Sequence, residues 1–77
     1  MACSDESLQE GATGECVTEL QTLLKQLNLL MKEVDGTFDG LTKEAVRDFQ
    51  GMEHLDTTGE VDPDLWSRLY YAAGLQP

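Results

Sequence analysis

Three stretches of the chain place apolar residues at helical spacing. In the first, Val17, Leu20, Leu24, Leu27 and Met31 recur every third or fourth position, and Leu23 and Leu30 widen the stripe. Such steps keep side chains on one face of a helix, which predicts a helix over about residues 15–29. Thr13 or Gly14 would start it, and Asn28, which tolerates the left-handed conformation, would help to end it. In the second, Leu41, Ala45, Val46, Phe49 and Met52 predict a helix over about residues 41–52. The third opens on Asp62-Pro63-Asp64. There Asp62 can cap, Pro63 suits the first helical position, and Asp64 sits at the positive end of the dipole. Leu65, Trp66, Leu69, Tyr70 and Ala73 continue it, and Gly74 stops it. A short extra turn near residues 4–10 would be capped by Ser4 or Asp5.

The connectors read as turns, with few strand signals. Val34-Asp35-Gly36-Thr37-Phe38-Asp39-Gly40 carries two Asp/Gly pairs and should turn twice. Thr-Gly-Glu occurs at residues 13–15 and again at 58–60, each shortly before a helix, which suggests shared start chemistry. The expected fold is all-α: a compact three-helix bundle with long structured turns and a short N-terminal helical turn. Its core would be Val17, Leu20, Leu24, Leu27, Phe38, Val46, Phe49, Leu55, Val61, Trp66 and Leu69. Residues 1–12 form an N-terminal extension packing on a domain of residues 13–75.

Size and charge narrow the function. A chain of 77 residues makes one small domain, and such a domain buries only about 60% of its unfolded surface. Five basic residues against fifteen acidic ones give a net charge of −10. That excludes nucleic acid as a partner, because phosphate binding needs Lys and Arg contacts. It excludes an anionic membrane surface as well. The charge is uneven. Residues 1–24 hold Asp5, Glu6, Glu10, Glu15 and Glu19 with no base, and residues 48–67 hold six acids with no base. Residues 25–47 balance four bases against four acids. No apolar run approaches the roughly 18 residues of a membrane helix. The first residues lack the basic and apolar regions of a signal peptide. Either the chain acts inside a cell, or it is excised from a longer exported protein, or something else delivers it.

The candidate chemistry is sparse. No cofactor or metal site is expected, since two cysteines and the single His54 are too few for a closed zinc site. In an oxidising compartment Cys3 and Cys16 can close a short disulfide loop; in a cytosol they remain an exposed and a buried thiol. Catalytic residues are absent: no nucleophile motif is present, and no pair of carboxyls is singled out for glycosidic cleavage. Asp35 either bonds its own turn backbone or contacts a ligand. Trp66 lies on the apolar stripe and belongs to the core. Tyr70 and Tyr71 are adjacent on one helix and cannot both face inward, so at least one is a contact candidate.

The order of motifs adds a resemblance. Gly14, Val17, Leu20 and Gln21 resemble a family opening Gly-x-x-Val-x-x-Leu-Gln. Asp35-Gly36-Thr37-Phe38, Thr42 and Ala45-Val46-Arg47-Asp48-Phe49-Gln50 resemble its Asp-Gly-x-Phe, Thr and Ala-Val-x-x-Phe-Gln elements. Thr58-Gly59-Glu60-Val61-Asp62 and Trp66 with Leu69 resemble its close. The family is the peptidoglycan-binding-like domain found beside many cell-wall hydrolases, and the match runs from Gly14 to Leu69 in order. It implies a three-helix, non-catalytic module that targets a partner to bacterial cell wall. Its motif residues would be mostly structural, with Gln21 and Gln50 bonding loop backbone from inside. Three positions depart from the usual pattern: Asp39 and His54 stand in place of Gly, and Leu65 in place of Thr.

Two functions compete at this point. One is binding of peptidoglycan, by its glycan or its stem peptide, through a groove beside the turn at residues 35–42 and the second helix. Ligand contacts would come from Asp35, Phe38, Asp39, Thr42, Tyr70 and Tyr71. The other is a protein-interaction module that no longer binds wall, such as a phage virion component or assembly adaptor, which would dock on a basic protein surface.

Overall fold

The computed structural model describes residues 2–74; the expected domain end at residue 75 lies outside the described residues. An N-terminal 3-10 turn at Ala2–Asp5 precedes three helices: α1 (Glu15–Gln26), α2 (Gly40–Met52) and α3 (Pro63–Ala72). The described residues contain no strand, only two isolated antiparallel bridges, Leu8 with Val61 and Thr13 with Thr37. The expected all-α bundle is therefore the observed fold. None of these helices is long and apolar enough to cross a membrane.

Helix starts and stops follow local chemistry. Asp39 caps α2 and Asp62 caps α3, each accepting a bond from the backbone N–H three residues on, Thr42 at 3.0 Å and Leu65 at 2.8 Å. Each bond satisfies one of the unpaired donors of a helix N-terminus. All three helices end beside a left-handed residue: Asn28 (φ 62), His54 (φ 60) and Gly74 (φ 79). At Asn28 the N–H bonds Lys25 O, and the Leu29 N–H reaches back to Leu24 O. His54 and Leu55 repeat the pair on Gly51 O and Gln50 O. These are the paired bonds of a Schellman ending. They explain why α1 stops at Gln26 and not near residue 29.

The core is a single cluster around Trp66, Phe38, Phe49, Leu20 and Leu24, all essentially inaccessible. The Trp66 indole stacks on Tyr70 at 5.9 Å between ring centroids, and its Nε1 donates to Glu6 O at 2.8 Å. Several expectations need correction. Leu27 and Leu55 are only partly buried, whereas Leu23, Leu30, Ala45, Leu65 and Tyr70 join the core. Met31, Leu41 and Met52 are exposed. Met31 lies beyond the end of α1, and Leu41 and Met52 sit at the margin of the arc that buries Thr42, Ala45, Val46, Phe49 and Gln50. The Thr-Gly-Glu triplets do not share start chemistry: Gly14 is itself the cap of α1, while residues 58–60 precede the Asp62 cap.

Residues 6–12 run across both long turns. Leu8 exchanges two backbone bonds with Val61, at 2.9 and 2.8 Å. The Gly11 N–H donates to Phe38 O, and the Phe38 N–H donates to Ala12 O, each at 2.9 Å. Cys3 and Cys16 are joined as a disulfide, which ties this arm to the first turn of α1.

Candidate functional site

The first long turn is organised from within by Gln21, a polar side chain with no exposed surface on α1. Its Oε1 accepts from the Asp35 and Gly36 N–H groups at 3.1 and 2.9 Å. Its Nε2 lies within 3.1 Å of Asp35 Oδ1, Thr37 O and Thr42 Oγ1. An amide has two N–H donors, so one of these three bonds is shared. Gly36 takes φ 74, and a Cβ there would stand 3.0 Å from Thr18 Oγ1. From outside, Lys32 Nζ bridges Asp35 Oδ2 and Asp39 Oδ2 at 2.7 Å each. The Lys32 ammonium, aided by the Thr37 N–H and Gln21, holds the Asp35 carboxyl well below the usual carboxylate range. Lys32 and the Thr42 N–H lower Asp39 in the same way, and the two carboxylates raise Lys32 in return.

The second turn repeats this plan. Gln50 Oε1 accepts from the Gly59 N–H at 2.9 Å, and its Nε2 donates to Thr58 Oγ1 and Glu60 O, both at 3.1 Å. Thr58 Oγ1 accepts from the Glu60 N–H two residues on, just as Asp35 Oδ1 does from Thr37.

A small cleft of about 170 Å³ opens beside the first turn, between Leu29–Lys32 and the α2 residues Leu41, Glu44, Ala45 and Asp48. A shallower recess of about 290 Å³ continues along α2 past Arg47 and Gly51. A separate groove of about 410 Å³ lies between the N-terminal arm and the second turn, lined by Ser7, Leu8, Glu60 and Asp62 among others. The described residues contain no group of three or more His, Cys, Asp or Glu side chains able to hold a metal ion.

This arrangement has relatives. The family model for the peptidoglycan binding domain matches residues 13–69. The chain belongs to that family. Its curated relatives match most of this chain but only a minor part of their own length. The spore cortex-lytic enzyme of Halalkalibacterium halodurans is 38% identical over 68 residues, which span 88% of this chain and 21% of that protein. The spore cortex-lytic enzyme of Oceanobacillus iheyensis is 41% identical over 66 residues, 82% of this chain and 24% of that protein. The domain thus spans about a fifth to a quarter of these relatives. Among solved structures it resembles the crystal structure of the SleB N-terminal domain, with a TM-score of 0.87 and 35% identity over 90% of this chain and 94% of that one. A peptidoglycan-binding protein from Clostridioides difficile, solved in complex with glutamine hydroxamate, gives 0.86 at 26% identity, over 91% of this chain and 44% of that one.

Within this peptidoglycan binding domain the six sequence-picked contact residues do not form one surface. Phe38, Thr42 and Tyr70 are buried. Thr42 Oγ1 donates to Asp39 Oδ1 at 3.0 Å, and the Tyr70 hydroxyl donates to the Glu19 carboxylate. Burial, then that bond to Glu19, pushes the Tyr70 phenol up to about 12. Asp35 and Asp39 are partly open, but both oxygens of each are engaged by Lys32 and by the turn itself. Tyr71 alone is freely exposed, at 69%. The cleft residues Met31, Leu41, Glu44 and Asp48 were not among the contacts expected from sequence. Met31 and Leu41 carried the same periodic signal as the core, and only their exposure separates them from it.

Proposed function

We propose that this chain is a non-catalytic module that binds peptidoglycan and so places a larger protein on the bacterial cell wall. The observation that carries the reading is the family match over residues 13–69, together with near-complete overlap on an N-terminal domain solved by itself. The charge pattern supports it. Lys32 offsets part of the negative charge of Asp35 and Asp39 at the first turn, so this side repels a wall polymer less than the flanking acidic segments do. A lytic role finds no support in the Asp35 and Asp39 pair that Lys32 bridges. A glycosidic general acid needs a raised pKa, and Asp35 and Asp39 are both lowered. Of the expected contacts, Asp35, Asp39 and Tyr71 are the ones a ligand can reach.

Co-sedimentation with purified sacculi tests the reading. The folded chain should pellet with sacculi at low and moderate salt, and should release no soluble fragments from them. A folded chain that stays in the supernatant at both salts refutes wall binding; fragment release refutes the non-catalytic role.

A further inference from the structure

The two turns use up most of the polar groups that the family motif supplies, so a ligand must find its chemistry between the motifs. The cleft beside the first turn offers a specific combination. Its walls are aliphatic: Leu29, Leu30 and Met31 on one side, Leu41 and Ala45 on the other. Met31 is 87% exposed and Leu41 62%, two of the four large apolar side chains left open among the described residues. Its lining also includes Lys32, Glu44 and Asp48. Lys32 spends its charge on Asp35 and Asp39. The Glu44 side chain shares only a 3.6 Å ion pair with the exposed Arg47, and the Asp48 side chain has no hydrogen bond or ion pair among the described residues. The cleft therefore combines apolar walls with anionic acceptors.

A sugar ring carries hydroxyls that both give and take hydrogen bonds, and this cleft would leave them poorly matched. An aliphatic chain ending in an ammonium group fits: methylenes against Met31 and Leu41, the charge against Asp48 and Glu44. Given the wall-binding reading above, on which this rests, the geometry points to the stem peptide as the ligand, held by an aliphatic side chain whose free amine meets Asp48 and Glu44. The glycan is then carried outside the cleft.

Chemical-shift titration of the full chain tests this with three soluble probes: a muropeptide whose stem bears a free side-chain amine, the same muropeptide with that amine acetylated, and a peptide-free glycan fragment. The amine-bearing probe should shift Met31, Leu41 and Asp48, and acetylation should weaken it at least tenfold. Asp48→Asn should weaken the amine-bearing probe and leave the acetylated one unchanged; Leu41→Ser, also at an exposed position, should weaken both. Equal affinity for the acetylated probe, or the same shifts from the glycan alone, overturns the stem-peptide assignment and leaves wall binding standing. Sacculi retention with no response to any probe also overturns it. Failure of all three probes and of sacculi retention removes both readings.

Discussion

Replacing Gln21 with Met keeps the length of the side chain and removes every hydrogen bond it makes. Three backbone groups then lose the partner that Gln21 provides: the N–H groups of Asp35 and Gly36, and the carbonyl of Thr37. An unsatisfied buried group costs about 1–3 kcal/mol. Residues 35 and 37 are exposed enough for water to take part of the load, so the low end applies to each. The expected loss is about 3 kcal/mol. A domain of this size has roughly 4–12 kcal/mol in total, so the variant should sit close to the edge of folding. Gln50→Met is the internal control. It deprives the Gly59 N–H and the Glu60 carbonyl, and should lose about 2 kcal/mol. Urea unfolding followed by Trp66 fluorescence measures both, with the slope unchanged between variants. A loss below about 1 kcal/mol for Gln21→Met, or a larger loss for Gln50→Met, would refute the view that these amides hold the turns.

Three further outcomes follow from the contacts. Reduction of the Cys3–Cys16 bond, or Cys3→Ser, frees a loop with a sequence separation of 13. It should cost about 3 kcal/mol and speed amide exchange at Leu8 and Gly11; unchanged exchange there would show that the arm is held without the bond. Asp35 and Asp39 titrate below the ordinary carboxylate value when folded, so their contribution is present above it and is lost as pH falls through the lowered values. Lys32→Met should flatten the fall in stability measured by urea unfolding below about pH 4, and an unchanged acid limb would contradict the bridge. Tyr70 titrates higher folded, at about 12 against an ordinary 10.0, so its contribution is complete below pH 10.0 and is lost as pH rises through about 12. Tyr70→Phe should abolish that alkaline loss, measured in the same way.

The helices and the core were legible because they rest on local rules. Asp62-Pro63 states a helix start in three atoms' worth of chemistry, and the tightly spaced Val17, Leu20 and Leu24 leave no other face to bury. The roles of Gln21 and Gln50 were legible only through the family resemblance. No local pattern says that an amide on α1 will meet a turn fourteen residues later. The contact residues were the least legible. Asp39 was expected to contact a ligand, and it is a helix cap clamped by a lysine seven residues earlier. That bond needs the tertiary fold. Met31 and Leu41 failed for the opposite reason, since their spacing matches the buried stripe and only the early end of α1 and the edge of α2 leave them outside.

The two turns also explain where the acidity can be tolerated. Asp35 to Asp39 and Thr58 to Asp62 are equivalent segments, shifted by 23 positions, each clamped by a glutamine and closed by an Asp cap. The same shift takes Lys32 to Leu55. The first turn therefore carries its own counter-charge, and the second carries none at that place. Glu60 and Asp62 line the groove at the second turn, on the side shared with the N-terminal arm. The molecule measures 25 × 24 × 20 Å, and surface charges more than about 8 Å apart are largely screened at physiological salt. A net charge of −10 then does not forbid contact with an anionic wall, provided the contact is made along α2, where Lys43 and Arg47 balance Glu44 and Asp48. The second turn instead lies against the Lys43 and Arg47 side chains of α2 at Gly59, so the least repelled orientation of the bound domain rests on these two cations together with Lys32.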